Sequence, residues 1–97
     1  MGILLYPHWQ KSVEAAPESP GLYAVYAGKE VLYIGKAQNL RVRLKNHNLR
    51  DRCTKAGMTH VVTMVIEDSS QRHACESYLI AQHRPILNSV YHFRRSA

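Results

Sequence analysis

Residues 21–35, GLYAVYAGKEVLYIG, constrain the fold more than any other stretch of the chain. Two runs rich in β-branched and aromatic residues, LYAVYA and EVLYIG, flank Gly28-Lys29, and such runs around a short glycine break read as a β-hairpin. Side chains alternate between faces along a strand, so the loop length decides which flanking residues share a face. A two-residue Gly28-Lys29 loop pairs Ala27 with Glu30 and hence Tyr23 with Ile34, sending Tyr23 and Tyr33 to opposite faces. A three-residue loop, Ala27-Gly28-Lys29, pairs Tyr26 with Glu30 and sets Tyr23 directly across from Tyr33.

The rest of the chain supplies partners for this hairpin. An apolar-polar lead ends in PESPG, where Pro17, Pro20 and Gly21 fix an extended or turning backbone from which the first strand starts. In NLRVRLKNH, Leu40 and Leu44 stand at i, i+4 with Arg43 and His47 on an adjoining face, a helical spacing. HVVTMVIED reads as a third strand. Asp68, with Gln71 three residues on, caps a helix through SSQRHACESYLIAQHR, which carries Cys75, Tyr78, Leu79 and Gln82 at helical spacing until Pro85 stops it. The order β-β-α-β-α predicts an α+β fold, a small three-stranded antiparallel sheet flanked by helices. The polar segment from Asn48 to Thr59 reads as an exposed basic loop with at most a helical turn.

Ninety-seven residues make one domain, spanning 1–97, with a modest core. The apolar fraction of 45% and charged fraction of 21% are those of an ordinary globular chain. No window approaches the roughly 18 uninterrupted apolar residues of a membrane span, and MGILLYPHW is too short for a signal-peptide core, so the expectation is a cytoplasmic protein with no membrane partner. Cys53 and Cys75 form no CxxC pair, which suggests neither a disulfide framework nor a zinc site but two reduced thiols, Cys75 packed in its helix. Thirteen Lys and Arg against seven Asp and Glu give a net charge of +6. Such an excess on a small domain favours a polyanionic partner, nucleic acid first, through phosphate contacts from Arg41, Lys45, Arg50, Arg52, Lys55, Arg94 and Arg95.

Five stations then occur in order: GLY at 21–23, YIG at 33–35, NLRVRL at 39–44, Glu76 within CESYLI, and RPILN ending at Asn88. On these residues the chain resembles the GIY-YIG nuclease superfamily over roughly residues 17–89, with GLY standing for GIY. PESPGLY and LYIGKAQNLRVRL are similar to the UvrC-type incision domain, and LKNHN is closer to stand-alone members. Phosphodiester hydrolysis needs an activated water, a charge partner for the pentavalent phosphate and stabilisation of the leaving oxygen, which tyrosine, arginine and a metal-bound carboxylate can supply.

The resemblance implies a metal-dependent DNA endonuclease using one Mg²⁺ (or Mn²⁺) ion. Tyr23 would deprotonate the water or transmit its proton, Tyr33 position it, Arg43 hold the scissile phosphate and Glu76 bind the metal. Glu76 is the only acid from Ser69 to the C-terminus, and taken alone it would pair with Arg72 at i−4. Supporting roles fall to His47, one turn beyond Arg43, to Lys36, whose charge would lower a tyrosine's pKa, and to Asn88, which would tie the C-terminal segment to the site. No separate DNA-recognition module has room here, so specificity is low or delegated to DNA structure or a partner protein. The alternative is a nucleic-acid-binding module of the same fold without turnover, or active only with a partner subunit. Paired catalytic tyrosines must share a face, which demands the three-residue loop or an equivalent bulge elsewhere in the hairpin, with both hydroxyls toward Arg43 and Glu76.

Overall fold

Four strands form one antiparallel sheet: Ile3–Tyr6 (β1), Gly21–Ala27 (β2), Glu30–Ala37 (β3) and His60–Val65 (β4), in the spatial order β1-β4-β2-β3. The computed structural model describes residues 3–88. The helices that accompany the sheet within the described residues include Trp9–Ala15 (α1), Leu40–Arg43 (α2), His47–Lys55 (α3) and Ser69–His83 (α4). None of them is long and apolar enough to cross a membrane.

The sheet has one strand more than the sequence predicts, because the lead is itself structured. Ile3–Tyr6 is too short to display an alternating pattern before Pro7, and it is defined by pairing with β4 from Ile3↔Met64 to Tyr6↔Val61. Trp9 and Ser12 of α1 are buried, and the Trp9 indole N–H donates to the Leu44 carbonyl at 2.7 Å. That bond ties the lead to the end of α2.

The segment expected as a basic loop is helical. Asn46 caps α3 by accepting from the Leu49 N–H at 3.1 Å, and the helix buries Leu49 and Cys53. Only these two residues, four apart, carry its apolar face, too weak a pattern to read against three cations. A second consequence is that α2 ends at Arg43 and the chain restarts at His47, so the two residues do not share one continuous helix face. In α4 the sequence expectation holds at both ends: Asp68 accepts from the Ser70 N–H at 3.3 Å, and the helix closes on Arg84 in the left-handed region (φ 46) just before Pro85.

Ala27 pairs with Glu30, so the hairpin loop is the two-residue Gly28-Lys29 turn, with Gly28 alone at positive φ (62). The register nevertheless shifts between Val25 and Tyr26, leaving Leu32 as the extra residue of a bulge on β3. Beyond it Tyr33 faces Val25 and Gly35 faces Tyr23, which puts both tyrosines on one face of the sheet. The three-residue loop is thus replaced by the bulge, and Tyr23 lies diagonal to Tyr33 instead of across from it. On the same face Val25, Ala37 and Val61 meet Tyr6, Trp9, Leu40, Leu44, Leu49 and Cys53 in the core.

β3 is one edge of the sheet, and side chains take up three of its outward polar groups. Asn88 accepts from the Ile34 N–H at 2.7 Å and donates to the Ile34 carbonyl at 2.8 Å. The next outward carbonyl, that of Lys36, accepts from Arg43 Nη1 at 2.9 Å. An unpaired edge is ordinarily open to pairing with another chain. Here Asn88 and Arg43 cover its Ile34 and Lys36 positions.

Candidate active site

The hairpin bulge sets the first pair. Tyr23 is buried at 2% exposure, its ring centroid 6.0 Å from that of Tyr33 and tilted by 36°. Tyr33 lines an open cleft of about 950 Å³, whereas Tyr23 lies behind it. Burial first, and the neighbouring Tyr33 second, push the Tyr23 phenol well above its ordinary value, while the Arg43 guanidinium acts in the opposite sense. Tyr23 hydrogen-bonds Tyr33, which favours the neutral phenol, and accepts from the Arg43 guanidinium, which favours the phenolate. Burial thus favours the neutral phenol over the phenolate.

β3 and α2 supply the cations. Arg43, at the end of α2, is anchored by its bond to the Lys36 carbonyl and lines the cleft with Gly35, Lys36 and Asn39. Asn39 caps α2 by accepting from the Val42 N–H at 3.1 Å, which holds this short helix where Arg43 projects beside the tyrosines. The cation beside Tyr23 is Arg43; Lys36, expected to act on a tyrosine, turns instead to α4. Its ammonium stands 2.7 Å from His73 Nδ1 and 3.8 Å from Glu76 Oε1.

The far wall is α4, which contributes Ser69, Arg72, His73 and Glu76. The Glu76 side chain is 12% exposed. It does not engage Arg72, whose Nη1 donates to the carbonyls of Ile66 and Glu67 at 3.0 and 3.1 Å and is buried in doing so. Among the described residues no group of three or more His, Cys, Asp or Glu side chains gathers as a metal cage.

Sequence comparison bears on what this cleft is. A family model of the UvrC-like GIY-YIG domain matches residues 19–89. The chain belongs to the UvrC-like GIY-YIG family. It is 38% identical over 87 residues to UvrABC system protein C of Borrelia hermsii, covering 84% of this chain and 14% of that protein. With the same protein of Borrelia turicatae it shares 42% over 84 residues, covering 80% of this chain and 14% of the relative. The chain therefore spans about 14% of the length of these relatives. The magnesium-bound GIY-YIG N-terminal endonuclease domain of UvrC from Thermotoga maritima superposes with a TM-score of 0.72 at 28% identity, over 79% of this chain and 91% of that one. The chain is thus a GIY-YIG domain by family and by fold.

Within this GIY-YIG domain the cleft gathers Tyr33, Lys36, Arg43 and Glu76, with Tyr23 behind and Asn88 bracing β3. Other singled residues lie elsewhere. His47 is exposed at the start of α3 and does not line the cleft. Arg41 binds Glu18 at 2.9 Å and the Ala16 carbonyl, and Arg50 pairs with the adjacent Asp51 at 3.1 Å. Lys45 and Lys55 are exposed, Arg52 is half-buried, and Arg94 and Arg95 fall outside the described residues. Cys75 is half-buried in α4. The sequence reading missed His73 and named Arg72 only as a partner for Glu76, not as a buried residue of the cleft wall. His73 sits one turn before Glu76 on the same helix face, a spacing that does not by itself reveal its contact with Lys36.

Proposed function

We propose that the domain hydrolyses phosphodiester bonds in DNA, with one divalent cation, Mg²⁺ or Mn²⁺, held by Glu76, and with Tyr23, Tyr33 and Arg43 around the scissile phosphate. The observation that carries this reading is the convergence of Tyr33, Arg43 and Glu76, from β3, α2 and α4, on one polar cleft. Glu76 suits a hard cation: its carboxylate is in the cleft wall, and its ion-pair partner Lys36 is at 3.8 Å, beyond hydrogen-bond length. A single protein carboxylate leaves most of the coordination shell to water and phosphate oxygens, which is how Mg²⁺ is usually bound. The cation would supply positive charge to the phosphate and the leaving oxygen.

The chain's own groups account for the remainder. Arg43 is pre-oriented by its bond to the Lys36 carbonyl, so its other guanidinium nitrogens meet a phosphate without searching. Tyr33 presents its ring to the cleft, where its hydroxyl orients the attacking water. Tyr23, kept neutral by burial, hydrogen-bonds Tyr33 and accepts from the Arg43 guanidinium, which fixes the two groups that meet the water and the phosphate. Lys36 stands ready to add charge beside the phosphate, and the exposed cations Lys45 and Lys55 extend the electrostatic track. Because the relatives carry this domain as 14% of a longer chain of the UvrABC system, we assign choice of target to DNA structure or to a partner protein.

Supercoiled plasmid with Mg²⁺ or Mn²⁺ tests the proposal. Nicking is expected from the native chain, and Glu76→Ala should lower it by about 10²-fold or more while DNA retention in a gel-shift assay stays within about twofold. Undiminished nicking by Glu76→Ala would remove the metal-site reading. Binding without nicking by the native chain would favour the partner-dependent alternative.

A further inference from the structure

We propose that His73 is a second protein ligand of the cation held by Glu76, and that Lys36 is a resident monocation competing for the same two donors. The inference rests on the reading of Glu76 as the metal carboxylate. Lysine has three N–H donors and no acceptor, so its 2.7 Å contact with His73 makes Nδ1 the acceptor and leaves the ring proton on Nε2. The Nδ1 lone pair therefore points at the Lys36 ammonium, and both residues line the cleft. The same ammonium is 3.8 Å from Glu76 Oε1, so a nitrogen lone pair and a carboxylate oxygen converge on one positive charge.

Helix geometry makes the pairing durable. His73 and Glu76 are three residues apart on α4, which puts them on one face, and both line the cleft. The Lys36 side chain is 43% exposed on a flexible stem, so it can leave for solvent or for a phosphate oxygen without disturbing the core. A divalent ion carries twice the ammonium's charge and bonds both donors at shorter distance, so it displaces Lys36. The released ammonium is then beside the substrate phosphate, which adds an electrostatic contact on metal loading.

A neutral imidazole nitrogen changes metal choice. Mg²⁺ takes oxygen ligands almost exclusively, whereas Mn²⁺, Co²⁺ and Zn²⁺ accept imidazole readily. The site should accordingly prefer Mn²⁺ and Co²⁺ over Mg²⁺ by more than a lone carboxylate would.

Calorimetric titration of the purified chain with Mn²⁺ and with Mg²⁺, in the absence of DNA, tests this. His73→Ala should weaken Mn²⁺ binding about tenfold or more, in line with losing a ligand or its support, while Mg²⁺ binding changes little. Lys36→Met should tighten both metals. His73→Gln, which keeps size and polarity but lacks the imidazole nitrogen, should behave as His73→Ala. A Mn²⁺ to Mg²⁺ affinity ratio unchanged by both His73 variants would overturn the proposal. Glu76→Ala separates the two readings: loss of both metals there, with no effect at His73, leaves the carboxylate site standing and ends the histidine ligand. Retention of both metals by Glu76→Ala would sink the carboxylate reading itself.

Discussion

Tyr23 rests on Gly35: a Cβ on residue 35 would stand 2.5 Å from both Cζ and the hydroxyl oxygen of Tyr23. The two are cross-strand partners, Tyr23↔Gly35, so the glycine ending YIG clears room for the tyrosine of GLY. Tyr23 is buried and packed beside Tyr33 and Arg43, so its ring cannot swing out without disturbing them. Gly35→Ala should cost about 1–3 kcal/mol in urea unfolding, as overpacking does. It should also reduce nicking far more than that loss of folded population explains. Unaltered nicking would show that Tyr23 can move without consequence.

Arg43 gives the second expectation. It holds the Lys36 carbonyl with Nη1 and reaches Tyr23 as well, a division that a planar fork can make and a single ammonium cannot. Arg43→Lys and Arg43→Ala should both fold, and both should lose about 10²-fold in nicking rate, with lysine recovering little of it. Near-native turnover by the lysine variant would reduce Arg43 to a point charge.

Thr63 is a weak point in the core. Its hydroxyl is buried and has no hydrogen-bond partner among the described residues, opposite Tyr23 in the sheet. Thr63→Val keeps the shape and removes the orphaned group, so it should raise stability by about 1 kcal/mol or more. A thermal melt decides it: a lower midpoint in the variant would mean that the hydroxyl is satisfied in solution.

The sequence made the hairpin and α4 legible because glycines, a cap and a proline stop mark them, whereas Tyr23, Tyr33, Arg43, Glu76 and Asn88 stood out only through the resemblance to the family. What lay beyond it depended on tertiary pairing. The parity argument demanded one extra residue in the hairpin but could not choose between the loop and a bulge, since both satisfy it; the bulge at Leu32 came from the fit of β3 against β2. Ile3–Tyr6 is a strand only beside β4, and α3 is held by just Leu49 and Cys53. His73 matters through its contact with Lys36, 37 residues away in sequence, which no local pattern encodes.

Cys53 sets an alkaline limit on stability. Burial raises its thiol from 9.0 to about 12, so the folded state keeps the proton after the unfolded chain has lost it. The contribution is complete below pH 9 and is lost between pH 9 and about 12, with a slope of at most about 1.4 kcal/mol per pH unit. Cys53→Ala should be less stable than native at pH 8 because of the cavity it leaves, yet the gap between the two should narrow toward pH 11. Parallel pH profiles from urea unfolding would show that the thiol does not titrate differently in the two states.

Asn88 carries the last prediction, because two short bonds to one residue make its role separable from catalysis. It is buried, accepts from the Ile34 N–H and donates to the Ile34 carbonyl, and so fastens the chain after α4 to the open edge of β3 two residues before Lys36. Asn88→Ala removes both partners and should cost about 1–3 kcal/mol, the range for buried groups left unsatisfied. Asn88→Asp keeps the acceptor but loses the donor, and its carboxylate would face the Ile34 carbonyl at neutral pH. Protonation restores an O–H donor, so the folded state holds that proton more tightly than the unfolded one. The stabilisation is then present at pH below the ordinary carboxylate range and is lost as pH rises through the raised folded value. The aspartate variant should therefore sit closer to the native protein at pH 4 than at pH 7, whereas the alanine variant should show no such convergence. Hydrogen exchange at the Ile34 amide reads the same bond directly: exchange should quicken in Asn88→Ala, and an unchanged rate would mean that the strand edge is protected by something other than Asn88.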